Sequence, residues 1–148
     1  MTTIVCNREE MACDLQITIM GQQKMKCKTK VFKIEHNALY FTEPFLVGFA
    51  GDANEMMDVV DFFTHPDIYP KPPRLRNTTG LVLTESKKIY TFSQVGTWIL
   101  LDSPYASIGS GSSFALGALS VGASPKDAVK AASKIDPFTG MGIKSFNF

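Results

Sequence analysis

Apolar and polar residues alternate through much of the first fifty positions. Thr2 to Asn7 is β-branched and apolar, a short strand, and Arg8-Glu9-Glu10 reads as a charged turn. From Met11 to Ile19 the alternation is clean. Met11, Cys13, Leu15, Ile17 and Ile19 share one parity; Ala12, Asp14, Gln16 and Thr18 share the other. A period of two predicts a strand. Gly21-Gln22-Gln23 breaks it, and Lys24 to Ile34 resumes with Lys24, Lys26, Lys28, Lys30, Phe32 and Ile34 on one parity. Glu35-His36-Asn37 reads as a hairpin turn, followed by two more apolar strands, Ala38 to Thr42 and Phe45 to Ala50.

The period then changes. Asp52, with Glu55 three positions on, has the form of a capping box. Behind it Met56, Val59, Val60 and Phe63 fall at helical spacing, with Met57 and Phe62 widening the face, and His65-Pro66 ends the helix. Asp67 to Asn77 is a proline-rich loop, too short to divide the chain. Gly80 to Glu85, Ile89 to Phe92 and Trp98 to Leu101 are strand candidates, the first two joined through Ser86-Lys87-Lys88. Tyr105 to Ile108 leads into Gly109-Ser110-Gly111-Ser112-Ser113 and an apolar helix carrying Phe114, Ala115, Ala118, Leu119 and Gly122. Ser124-Pro125-Lys126-Asp127 is a helix start, with a serine cap, proline at the first position and an acid in the first turn. Ala128, Ala131, Ala132 and Ile135 make its apolar stripe; Asp136 to Gly142 is a turn, and Met141 to Phe148 a last strand. Blocks of strands separated by helices predict α+β layers, in contrast to a doubly wound sheet.

Bulk properties narrow the function. A length of 148 residues fits one domain spanning 1–148, and a net charge of +1 gives no electrostatic case for nucleic acid or an acidic membrane. No apolar run is long enough to span a bilayer, and the N-terminus has no secretory pattern. Cys6, Cys13 and Cys27 are an odd, unpaired set, as expected of reduced thiols in the cytoplasm. His36 and His65 lie in no metal-binding pattern, so neither a metal nor a cofactor is expected.

The chain opens Met1-Thr2, and removal of Met1 would leave a free α-amine on a hydroxyl-bearing residue. That pairing is one way to make a nucleophile, because the amine can take the hydroxyl proton. Such a threonine needs a cation near its hydroxyl, a carboxylate to hold the cation, and backbone donors for an oxyanion. Asp14 is an acid on an otherwise uncharged parity. Lys30 has two readings. It is either an inward lysine needing a partner, or part of an exposed lysine ladder with a bulge near Val31 resetting the register. Gly109-Ser110-Gly111 can supply backbone donors or simply turn a strand into a helix; it lacks the lysine of a nucleotide-binding loop.

Together these residues resemble the β-type subunits of the proteasome and the related HslV peptidases, which are threonine-type N-terminal nucleophile hydrolases. The resemblance rests on Thr2-Thr3-Ile4-Val5, on Asp14 in an Ala-x-Asp context, and on Lys30 in Lys30-Val31-Phe32-Lys33-Ile34. It rests also on Gly48-Phe49-Ala50-Gly51-Asp52-Ala53, on Tyr105 to Ser112, and on Asp136, Thr139 and Gly140, in that order along nearly the whole chain. It implies a four-layer αββα sandwich with a reduced helical layer, because the helix that normally follows the first is missing or shrunk into Asp67 to Asn77. It implies Thr2 as nucleophile and base, Lys30 lowering the hydroxyl's pKa, and Asp14 holding Lys30. Ser110, Asp136 and Thr139 would orient the amine and a water, and backbone around Gly109 and Gly111 would offer the oxyanion site. The implied activity is hydrolysis of polypeptide substrates, in a homo-oligomeric ring with an ATPase unfoldase as possible partner. The alternatives are an inactive scaffold or assembly subunit of the same shape, or an N-terminal nucleophile amidase acting on a small amide.

Overall fold

The computed structural model describes residues 2–35 and 39–148. In chain order the elements are β1 (Thr3–Asn7), β2 (Glu10–Asp14), β3 (Gln16–Ile19), β4 (Gln23–Lys26), β5 (Val31–Ile34) and β6 (Phe45–Gly51). Then come α1 (Ala53–Thr64), β7 (Thr78–Thr84), β8 (Ile89–Phe92), β9 (Ile99–Leu101), β10 (Tyr105–Gly109), α2 (Ser112–Ser120), α3 (Pro125–Ser133) and β11 (Ile143–Asn147). Two antiparallel sheets result, one in the order β10-β1-β2-β11 and the other β5-β6-β7-β8-β9, with β3 and β4 forming a separate hairpin.

Side-chain parity stacks these sheets into four layers. On β1 and β2, Ile4, Cys6, Met11 and Cys13 join Leu46, Leu81, Leu83 and Ile89 of the second sheet in one buried cluster between the sheets. The opposite parity, Val5 and Ala12, packs under Ala115, Leu119, Ala128, Val129 and Ala132 of α2 and α3. On the second sheet, Phe45, Val47, Phe49 and Val82 turn outward to meet Val59, Phe62 and Phe63 of α1. Strands covered on both faces bury both parities. The sheets approach closely at Gly48, where a Cβ would lie 2.6 Å from Ile4 Cγ2 and 3.0 Å from Met11 Sδ. The αββα sandwich is therefore the observed architecture, with one helix on one outer side and two on the other.

Several boundaries differ from the sequence reading. The continuous Met11–Ile19 strand is interrupted at Leu15, whose N–H bonds Gly140 O and Gly142 O at 3.1 Å each. Lys24–Ile34 is interrupted between Cys27 and Lys30; Thr29 Oγ1 donates to Val31 O and accepts from Val31 N, shaping the turn locally. Ala38–Thr42 is not a strand in its described part: Phe41 makes an isolated bridge and buries its ring among Phe45, Tyr90 and Trp98. The Glu35-His36-Asn37 turn and Ala38 lie largely outside the described residues. Ile135 and Phe114 are exposed, and Val129 takes the core position on α3.

The capping box is half formed. Asp52 Oδ1 caps α1, accepting from Asn54 N at 2.7 Å. Glu55 turns away, accepting from Arg76 N at 3.0 Å and Asn77 N at 2.9 Å, while Asp52 N donates to Thr78 Oγ1. That carboxylate pins the end of the Asp67–Asn77 loop to the helix start.

Candidate active site

Thr2 precedes β1, in the middle strand pair of the first sheet. Asp14 ends β2 beside it, and Lys30 enters from the turn before β5 in the facing sheet. All three are buried: Thr2 is 2% exposed, Asp14 0% and Lys30 5%. The strand breaks before Val31, yet Lys30 is inward and the exposed ladder ends at Lys28.

The lysine is saturated. Its ammonium donates to Thr2 Oγ1, to Asp14 Oδ1 at 2.9 Å and to Gln16 O at 2.5 Å, one acceptor for each proton. Thr2 Oγ1 in turn donates to Asp14 Oδ1 at 2.5 Å. Asp14 is saturated too. Oδ1 also accepts from Thr3 N at 3.0 Å, and Oδ2 accepts from Gln16 N at 3.2 Å and Gly140 N at 3.0 Å. A buried ion pair of this kind persists because the remaining lone pairs and protons find partners. An ammonium pressed on a hydroxyl oxygen favours loss of that hydroxyl's proton.

A second carboxylate stands behind. Asp136, in the turn after α3, accepts from Ser110 Oγ and Thr139 Oγ1, each at 2.6 Å, through Oδ2, and from Phe138 N at 3.1 Å through Oδ1. Burial pushes its carboxyl up, but the bonds from Ser110, Thr139 and Phe138 outweigh burial and hold it below the ordinary aspartate range. Ser110 Oγ also lies 3.4 Å from Thr2 O.

Two cavities lie in this region, and Thr2 lines the first. One of about 190 Å³ is lined by Thr2, Lys30, Phe49, Gly51, Asp52 and Met56. The other, of about 410 Å³, is lined by Ala50, Gly51, Thr79, Gly109, Ser110 and Ser112. Gly109 holds φ +98°, and a Cβ there would lie 2.0 Å from Thr2 O, so glycine is what lets β10 approach the threonine. Gly111 lines neither cavity: its missing Cβ leaves room for the Thr3 and Thr139 hydroxyls.

Thr2, Asp14 and Lys30 thus form one cluster and Ser110, Asp136 and Thr139 an adjoining one. Sequence reasoning missed Thr3, the Gln16 carbonyl, the Gly140 N–H and Gly51. Backbone groups leave no residue-type signal. Gly51 stood in the quoted Gly-Phe-Ala-Gly-Asp stretch; its N–H shares an edge with that of Phe49, which donates to Lys30 O at 3.2 Å. Burial pushes Cys6 up to about 12 and Cys13 up to about 11, so neither offers a thiolate. Among the described residues no three His, Cys, Asp or Glu side chains cluster as metal ligands, and no helix is long and apolar enough to cross a membrane.

Solved structures share this arrangement of layers. BPH from Thiobacillus denitrificans, in a complex with epoxomicin, matches with a TM-score of 0.71 at 18% identity, over 99% of this chain and 97% of that one. HslV from Trypanosoma brucei matches at 0.67 and 16%, over 99% and 100%. What the chain shares with these proteins is the fold. Anbu from Pseudomonas aeruginosa, described as a helical assembly, matches at 0.73 and 10%, over 99% of this chain and 81% of that one. No protein-family model matches the chain, and no curated protein matches it.

Proposed function

We propose that this chain is a threonine-type peptidase whose nucleophile is Thr2, freed by removal of Met1. The observation that carries the reading is the buried contact of Lys30 and Asp14 on the Thr2 hydroxyl, beside a cavity. The α-amine takes the hydroxyl proton and Thr2 Oγ1 attacks the peptide carbonyl. Backbone N–H groups around Gly109 and at Gly51 meet the oxyanion. The amine returns its proton to the leaving nitrogen, an ester on Thr2 remains, and water cleaves it. Lys30 favours the alkoxide, and Asp14 holds Lys30. Ser110, Asp136 and Thr139 hold the amine and the water. Gly111 is proposed with Gly109 for the oxyanion, and its missing Cβ also makes space for hydroxyls behind the site. The fold shared with HslV and Anbu supports a cytoplasmic homo-oligomer that accepts unfolded polypeptide, with an ATPase unfoldase as partner of a ring.

Intact mass of the purified protein, with and without an epoxyketone probe, tests the reading. The expected result is loss of Met1 and one adduct, absent in Thr2→Ala. Retained Met1 and no adduct would overturn it and leave the inactive scaffold; turnover of small amides with no cleavage of peptides would leave the amidase.

A further inference from the structure

Thr3 belongs to both clusters. Its N–H donates to Asp14 Oδ1 at 3.0 Å, and its hydroxyl lies 2.7 Å from Thr139 Oγ1. The direction of that second bond follows from proton counting. An ionised carboxylate only accepts, so Ser110 and Thr139 each spend their single hydroxyl proton on Asp136 Oδ2. Thr139 can then only accept from Thr3. Thr3 is 0% exposed, so water offers no alternative partner. The fold makes room for this contact: a Cβ on Gly111 would lie 2.1 Å from Thr3 Oγ1 and 3.0 Å from Thr139 Oγ1.

We propose that Thr3 is a positioning residue, whose N–H and hydroxyl anchor the chain between the Asp14 and Asp136 clusters and so fix how Thr2 presents its hydroxyl and its main chain to them. The role rests on the peptidase reading above. Thr2 has its side chain committed to Lys30 and Asp14 and its carbonyl near Ser110. Both anchors of the next residue are needed to hold these at once. Ser110 spends its own proton on Asp136, which leaves the Ser110 lone pairs to accept from an amine. Thr3 touches no substrate: it lines neither cavity.

Thr3→Val keeps shape and branching and removes only the hydroxyl; Thr3→Ser keeps the hydroxyl. With a fluorogenic peptide, Thr3→Val is expected to lower kcat by about 10- to 100-fold with KM nearly unchanged, the scale on which a small misplacement of a reacting group acts. Thr3→Ser is expected to stay within about threefold of the parent, because it retains the donor. A second readout needs no activity. The NMR coupling between Hα and Hβ of Thr2 reports its χ1, and it should average in Thr3→Val and persist in Thr3→Ser. If Thr3→Val does not fold, Thr3→Ala takes its place. An unchanged coupling in the hydroxyl-less variant, or equal losses in the serine and valine variants, would overturn the positioning role. Absence of any adduct on Thr2 in the parent protein would instead overturn the peptidase reading, and the coupling would still decide the role of Thr3.

Discussion

Asp14→Asn changes one atom, yet it should be among the most damaging substitutions in the chain. The two carboxylate oxygens accept five donors between them: Thr2 Oγ1, Thr3 N and Lys30 Nζ on Oδ1, Gln16 N and Gly140 N on Oδ2. An asparagine must put its NH2 where one oxygen was. The milder orientation sets it at Oδ2, where Gln16 N–H and Gly140 N–H then face another donor. Each stranded buried donor costs about 1–3 kcal/mol. Lys30, 5% exposed, also loses its counter-charge, and breaking a buried pair from one side costs about 3–5 kcal/mol. The terms overlap, and a total of about 4 kcal/mol corresponds to roughly 10 °C in Tm for a chain of this size. Urea and thermal unfolding of the parent, Asp14→Asn and Asp14→Ala measure it. The alanine variant should be no less stable than the asparagine variant, because the space it leaves can admit water to the donors. A loss below about 1 kcal/mol for Asp14→Asn would refute the claim that this carboxylate is a saturated acceptor.

Three further outcomes follow from the same geometry. Gly109→Ala forces a side chain into φ +98° and onto Thr2 O, so it should cost at least about 2 kcal/mol and slow epoxyketone labelling of Thr2 by about 100-fold, read by urea unfolding and mass spectrometry. Asp136→Asn removes a carboxyl held below its unfolded value; that carboxyl contributes stability above the unfolded value, lost as pH falls through the folded one. Unfolding titrations should therefore show a full gap between variant and parent above about pH 4 that closes on further acidification. Ser124→Ala removes the acceptor for Asp127 N at 3.1 Å and should lower stability by about 1 kcal/mol while leaving Thr2 labelling unchanged, a control for general destabilisation.

Much of the fold was written locally. The alternation of Met11 to Asp14 and of Phe45 to Ala50, the cap at Asp52, the stop at His65-Pro66 and the Ser124-Pro125 helix start depend on backbone preferences and on which side a residue faces, and neighbours in sequence fix both. Where strands end was not local. Leu15 leaves β2 because Gly140 and Gly142, distant in sequence, take its N–H; Phe41 leaves the strand pattern for an aromatic cluster with Phe45 of β6, Tyr90 of β8 and Trp98 just before β9. Even Glu55, placed correctly at a helix start, gave its carboxylate to Arg76 and Asn77.

The site divides the same way. The side chains proposed to carry chemistry, Thr2, Asp14, Lys30, Ser110, Asp136 and Thr139, are visible as residue types, and a family resemblance could order them. Whether Lys30 pointed inward was undecidable from alternation, because a turn at Cys27 to Lys30 erases the parity that the argument needs. The saturation of Asp14 and Lys30 depends on the Gln16 and Gly140 backbone, and the join at Thr3 on the space left by Gly111. Backbone groups are the same at every position and an absent Cβ announces nothing about what fills its place. The sequence by itself therefore predicted the α+β layers and displayed the candidate side chains; only the packing of two sheets and the turn after α3 decided that Asp14 and Lys30 meet on the buried Thr2 hydroxyl, with Ser110, Asp136 and Thr139 in an adjoining cluster.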